Sequence, residues 1–236
     1  MTNKTKIFTF KQFSIFRGDS GMAVSTDGVL LGAWAQLQNE HQILDIGTGT
    51  GLLALMCAQR SSQSQIHAID IDEGAAQAAR YNVTHSPWAN RIQVQQSNIT
   101  ETTFEKGFDR IICNPPYFTS GEIALDHARA QARHTLTLSH QALLTACKKN
   151  LTKEGKASFI LPKVEGTAFI ELALSQGWFL SRLCHVHTTS KKTSYRLLLE
   201  LTLTPIKTES NELVIHQDTQ YSEAFIALTQ AFYLKM

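Results

Sequence analysis

The sequence predicts an α/β protein built on a doubly wound, mostly parallel sheet that closes with an antiparallel hairpin. Three observations predict it. Short apolar, β-branched runs alternate with helix-forming stretches from Thr26 to Ser175. The run Phe108–Cys113 (FDRIIC) is largely apolar, as suits a strand of a parallel sheet covered on both faces. Each chemically suggestive segment also follows directly on a predicted strand, which is where such sheets bind their ligands.

The elements follow in order. Thr26–Leu37 (TDGVLLGAWAQL) opens on a capping residue type and reads as a buried helix. His41–Ile46 is a strand running into glycines, and Gly51–Arg60 is a helix whose basic end suits the macrodipole. Ile66–Ile71 is a strand, Glu73–Asn82 an alanine-rich helix, Arg91–Gln96 an alternating strand and Phe108–Cys113 the fourth strand. Leu138–Leu151 is a helix, Lys156–Leu161 a strand and Val164–Ser175 a helix. Trp178–His187 and Ser194–Leu203 form a hairpin around the polar turn TTSKKT, and Tyr221–Leu234 closes the chain as a helix. For Phe8–Phe16 two readings stay open: paired strands, or a segment lying over a ligand.

At 236 residues, 43% of them hydrophobic and 18% charged, the chain can bury one sizeable core, so 1–236 is read as one domain. No apolar run reaches the roughly 18–20 residues of a membrane span. The charged N-terminus lacks the pattern of a secretory signal, so the expected location is cytoplasmic. Cys57, Cys113, Cys147 and Cys184 are scattered without a CxxC pair. Buried free thiols are therefore expected rather than disulfides or a zinc site, and no metal is expected. A net charge of +2 points to no general affinity for nucleic acid; an RNA enzyme of this composition would rely on a local basic patch. With no coiled coil or obvious interface helix, a monomer is expected.

Leu44–Gly51 reads LDIGTGTG, with Gly47, Gly49 and Gly51 between a strand and a helix. Such a loop lets backbone approach a ligand and take positive φ without a Cβ clash. A dinucleotide fingerprint would place its third glycine where Leu52 stands. Asp45, just before the loop, suits a ligand carrying an ammonium group and would repel a pyrophosphate. The spacing therefore favours S-adenosyl-L-methionine over NAD. Asp70, at the end of the second strand, is placed to accept from ribose hydroxyls, with Asp72 as its rival unless Asp72 caps the following helix. After the third strand, Asn98 offers a partner to the adenine amino group, and Ile99 an apolar face and a backbone amide.

Asn114-Pro115-Pro116-Tyr117 follows the fourth strand. The two prolines restrict their own φ and bias Asn114 away from helix, giving a stiff turn at the mouth of the sheet. A planar amino nitrogen is a poor nucleophile because its lone pair is delocalised. Two fixed acceptors, the Asn114 side-chain oxygen and the Pro115 carbonyl, would let it pyramidalise toward a methyl donor. Neutral Asn114 would act by position and electrostatics rather than as a general base. Tyr117 would stack on the base, worth ~1–3 kcal/mol, and Phe118 would extend that platform.

The order of glycine loop, acidic strand end and NPPY resembles that of Rossmann-like amino-methyltransferases. The segments FTFKQF, STDGVLLGAWA, SPWANRI, QARHT and YSEAFIALTQAFYLKM narrow the likeness. They resemble the bacterial tRNA (adenine-N6)-methyltransferase family that modifies the adenosine 3′ of the anticodon in a valine tRNA. The resemblance implies a seven-stranded fold, S-adenosyl-L-methionine as donor and folded tRNA as substrate. It implies that residues 1–38 form an N-terminal extension and cofactor-covering segment on a 39–236 core, with Asp27 of the TDG segment over the methionine end. It also implies roles for Asp45, Gly47, Gly49, Asp70 and Asn98 around the cofactor and for Asn114–Tyr117 around the base. Arg129, Arg133 and His134 are candidates for phosphate contacts. Lys191, Lys192 and Arg196 at the hairpin are candidates for a second patch. Competing readings are methylation of an rRNA base, DNA adenine or protein glutamine, an NAD-dependent oxidoreductase, and a non-catalytic RNA binder that kept the fold.

Overall fold

Apolar strands and helices of opposite amphipathic sense dictate layers, and a computed structural model, which describes residues 7–18, 23–37, 42–115 and 138–235, shows how they stack. The elements are β1 (Ile7–Thr9), β2 (Ser14–Phe16), α1 (Thr26–Trp34), β3 (Gln42–Ile46), α2 (Leu52–Arg60), β4 (Gln65–Asp70), α3 (Glu73–Thr84), β5 (Ile92–Gln96) and β6 (Phe108–Cys113). They continue as α4 (His140–Asn150), β7 (Leu151–Pro162), α5 (Lys163–Ser175), β8 (Phe179–Thr189), β9 (Arg196–Thr202), β10 (Glu209–Gln217), β11 (Gln220–Tyr221) and α6 (Glu223–Thr229).

The main sheet has the order β11-β10-β8-β9-β7-β6-β3-β4-β5. Strands β5, β4, β3, β6 and β7 are parallel, and β9 runs antiparallel between β7 and β8. Those are the seven strands expected. Strand β10 adds alongside β8 in parallel, and β11 folds back on β10. No element is evident in the sequence at 209–217, because the strand buries only Leu213 and Ile215, too few to show a periodic signal. The closing helix is shorter than expected, and β7 begins as soon as α4 ends. Phe8–Phe16 pairs as the β1–β2 hairpin.

Alternate residues of each inner strand face opposite layers. Ile43, Ile112, Ile160 and Leu198 pack with α1 and α2. Leu44, Ile111, Phe159 and Leu199 pack with α4 and α5. Cys57, Cys113, Cys147 and Cys184 are all buried free thiols, as expected. Among the described residues, no helix is long and apolar enough to cross a membrane.

Helix α1 is capped by Ser25, whose hydroxyl accepts from the Gly28 amide at 3.0 Å, rather than by Thr26. It lies close on α2: a Cβ at Gly28 would meet Leu52 at 2.9 Å, and one at Gly32 would meet the Met56 sulfur at 2.6 Å. Its last turn has no basic residue of its own. Arg60 instead donates to the Gly32 and Ala35 carbonyls, both at 2.7 Å, answering orphan acceptors at the negative end of the helix.

Candidate active site

All five parallel strands end at one edge, and the glycine loop, Asp70, Asn98 and Asn114 lie at or just beyond those ends. Gly47, Gly49 and Gly51 take φ of +70°, +58° and +83°, values that exclude most side chains. The loop is tied to β4 by the amides of Gly47 and Thr48, which both donate to the Ile69 carbonyl at 2.9 Å. The glycines have different duties. A Cβ at Gly47 would enter open space, the cradle a ligand needs, whereas one at Gly51 would touch the Ala79 backbone at 3.4 Å. Gly47 therefore leaves room for a ligand, and Gly51 lets α2 start against α3.

Asp45 is fully buried. Its Oδ2 accepts from the Thr48 hydroxyl at 2.6 Å and the Ala54 amide at 3.1 Å. Its Oδ1 is buried without a hydrogen-bond partner. Burial pushes this carboxyl up to about 7, against the lowering effect of those two bonds and with a smaller push from Asp70. A cationic partner at Oδ1 would restore its ordinary acidity.

Asp70 accepts from the Gly49 amide at 2.8 Å and the Asp72 amide at 3.0 Å, so it joins the loop to the end of β4. Burial raises its carboxyl above the ordinary range. Asp72 instead caps α3, accepting from the Ala75 amide at 2.7 Å. Of the two rivals, Asp70 is the one on the glycine loop. Asn98 is held in a local turn: its Oδ1 accepts from the Thr100 amide at 3.1 Å and hydroxyl at 2.8 Å, and its Nδ2 donates to Glu101 at 3.0 Å. Ile99 is buried in the core layer that also holds Leu44 and Ile69. Beside it, the Ser97 hydroxyl is buried without a partner.

The β3–β6 register pairs Ile46 with Cys113, so Asn114 leaves β6 next to where the glycine loop leaves β3. Its Oδ1 is buried and has no hydrogen-bond partner. Pro115 is buried next to it. Pro116, Tyr117, Phe118, Arg129, Arg133 and His134 lie outside the described residues. Unpartnered buried atoms also occur far from this edge, at Trp178 for example. What distinguishes Asp45, Ser97 and Asn114 is their common place at the ends of β3, β5 and β6.

Asp27 lies in the first turn of α1 and is bound to Arg196, with Nε 2.7 Å from Oδ2. Lys191 and Lys192 are exposed at the β8–β9 turn. Because Arg196 pairs with Pro162, the last residue of β7, that turn lies at the same edge as Asn114.

Sequence reasoning missed Thr48, which orients Asp45, and Asn82. The Asn82 side chain accepts from the Phe16 amide at 2.8 Å and donates to the Phe16 carbonyl at 2.9 Å and the Thr50 carbonyl at 2.8 Å. It thus ties the β1–β2 hairpin to the glycine loop. No local pattern marks Asn82; only its complete burial inside a helix sets it apart.

A glycine cradle, a buried carboxylate with one free oxygen and a second acid on the loop fit a methyl donor carrying an ammonium group and a ribose. Residues 28–170 match the model described as Methyltransferase small domain, and the chain belongs to that family. Within it, the chain is 54% identical over 233 residues to the tRNA1(Val) (adenine(37)-N6)-methyltransferase of Vibrio parahaemolyticus serotype O3:K6, covering 99% of this chain and 98% of that one. The enzyme of the same description from Aliivibrio salmonicida is 47% identical over 231 residues, covering 98% and 99%. Among solved structures, an Agrobacterium tumefaciens protein described as a predicted O-methyltransferase superposes with TM-score 0.68 at 15% identity, covering 87% and 96%. The ribosomal protein L11 methylase of Lactobacillus delbrueckii superposes with TM-score 0.56 at 15% identity, covering 83% and 97%. At such identities these two likenesses bear on fold alone.

Proposed function

We propose that this protein transfers a methyl group from S-adenosyl-L-methionine to the N6 amino group of adenine 37, 3′ of the anticodon, in tRNA1(Val), acting as a cytoplasmic monomer. The observation that carries the reading is the buried, unpartnered Asn114 Oδ1 beside the glycine loop. An acceptor held dry at that place waits for an N–H donor, and an exocyclic amino group supplies one.

The donor supplies an electrophilic methyl on a sulfonium; the protein supplies placement. Asp45 Oδ1 receives the ammonium of the methionine end, while Thr48 holds the carboxylate in that orientation. Gly47 leaves the space that end requires. Asp70 takes the ribose, and the Asn98–Ile99 turn borders the adenine. Asn114 Oδ1 and the Pro115 carbonyl accept the two amino hydrogens of the target base, so the lone pair turns out of the ring plane. Tyr117, extended by Phe118, stacks on the base after it leaves its helix or loop. As the N–C bond forms, the methyl–sulfur bond would break and leave the neutral thioether; Asn114 takes no proton, and the methylated amino group, its acidity risen, gives one to water. Lys191 and Lys192 meet the RNA backbone from the hairpin, with Arg129, Arg133 and His134 as further phosphate contacts.

The test is transfer of labelled methyl from S-adenosyl-L-methionine to total bacterial tRNA lacking this modification, followed by nucleoside analysis. The reading requires label in N6-methyladenosine. Label in another nucleoside, or none in tRNA, overturns it.

A further inference from the structure

Arg196 looks, by sequence, like a third member of the hairpin's basic patch. Its surroundings say otherwise. The guanidinium Nε is 2.7 Å from Asp27 Oδ2, with the two side chains 20% and 10% exposed. Its Nη1 donates to the Tyr195 carbonyl at 3.2 Å, and the group lies 5.0 Å from the centroid of the Tyr195 ring. A guanidinium held by a carboxylate, a carbonyl and a ring face has little charge or solvent-facing surface left for a phosphate.

The position of the pair gives it another task. Asp27 is in the first turn of α1, and the next residue, Gly28, lies directly on Leu52, the residue that follows the glycine loop. Arg196 opens β9 beside Pro162. In the sheet order, β6 and β7 lie between β3, which feeds the loop, and β9. The ion pair therefore fastens the turn of α1 that backs the loop to the far side of the reacting edge, with Asn114 between them.

We infer that Arg196 is a positioning residue for the cofactor, acting through Asp27 on the first turn of α1, and that Lys191 and Lys192 carry the hairpin's charge toward RNA. The inference rests on the function proposed above and deepens it by dividing the basic hairpin into a cofactor side and an RNA side.

Three variants separate the two roles. Arg196→Gln should weaken S-adenosyl-L-homocysteine binding, read by calorimetry, by roughly tenfold. It should leave the slope of log affinity for tRNA against log salt unchanged, since no phosphate contact is lost. Asp27→Asn, which keeps the guanidinium, should match that loss, and the double variant should be no weaker than either single one, because both remove one interaction. If Arg196 served the RNA, Asp27→Asn would spare S-adenosyl-L-homocysteine binding and steepen the salt slope, and Arg196→Gln would flatten it by about 0.7–0.9. Either result overturns the inference, as does additive loss in the double variant. A wild-type protein that binds S-adenosyl-L-homocysteine but does not methylate tRNA fails the proposed function and leaves the calorimetric cycle to judge the pair. One that does neither overturns both.

Discussion

The two halves of the reacting edge are built by different means. At β3–β5 the glycine loop is shaped by backbone amides: Gly47 and Thr48 bond the Ile69 carbonyl, and Gly49 bonds Asp70. At β7–β9 a side-chain pair holds the structure: Asp27 with Arg196, which opens β9 beside the end of β7. The first half is local in sequence and rigid by geometry. The second joins residues from opposite ends of the chain and depends on charge. Asn114, on β6, stands where the two meet.

Asn114→Ala should cut single-turnover methyl transfer by about 10²–10³-fold, the usual cost of removing a fixed transition-state partner. Affinity for S-adenosyl-L-homocysteine should stay within about twofold, because the cradle proposed for that ligand lies in the β3–β5 half. A parallel loss of affinity would mean that Asn114 belongs to the cofactor cradle.

Asp45 gives the next largest effect, and it carries a sign. Burial raises its carboxyl from 3.8 to about 7 in the folded protein. Its contribution to the stability of the cofactor-free protein is thus complete below the unfolded value and is lost as pH rises through about 7. An ammonium ligand prefers the ionised form, so S-adenosyl-L-homocysteine affinity should run the other way, strengthening up to about tenfold per pH unit until pH passes that value. Calorimetry across this range should show the trend, and Asp45→Asn should both weaken binding and flatten it.

The two kinds of glycine offer a finer cut. Gly47→Ala and Gly51→Ala each place a Cβ on a positive-φ residue, costing about 1–2 kcal/mol of stability, measurable by denaturant unfolding. Only Gly47→Ala should also lose cofactor affinity, since its Cβ enters the open cradle whereas that of Gly51 meets Ala79. Equal affinity losses would erase the distinction between cradle and packing glycine. The smallest effect belongs to the hairpin: replacing both Lys191 and Lys192 with Ala should weaken tRNA binding several-fold and flatten its salt slope by about 1.5. Filter binding at several salt concentrations would show it.

The same division explains what the sequence could reveal. Asp45, Gly47, Asp70 and Asn114 were legible because each sits at or just beyond the end of an apolar strand, and a parallel sheet brings such ends to one edge. Asp70 is preferred to Asp72 already by its place directly after the apolar run, and three-dimensional placement adds that Asp72 caps α3 while Asp70 bonds the glycine loop. The Asp27–Arg196 bond spans 169 residues, and Asn82 reaches back 66 residues to Phe16. Neither leaves a periodic or local pattern. Arg196 was grouped with its basic neighbours because sequence shows charge but not what neutralises it. Strand β10 escaped notice for a related reason: as an outer strand it buries one face only in part.

The proposed acceptor is an exocyclic adenine amino group, received by Asn114. It is tested most directly by comparing methyl transfer to two tRNA1(Val) transcripts, one with adenine at position 37 and one with hypoxanthine, which has a carbonyl in place of the amino group. The account predicts label in the first transcript and none in the second, with both binding within a few-fold of each other. Label of equal extent in the second transcript would contradict it and place the methylated atom elsewhere.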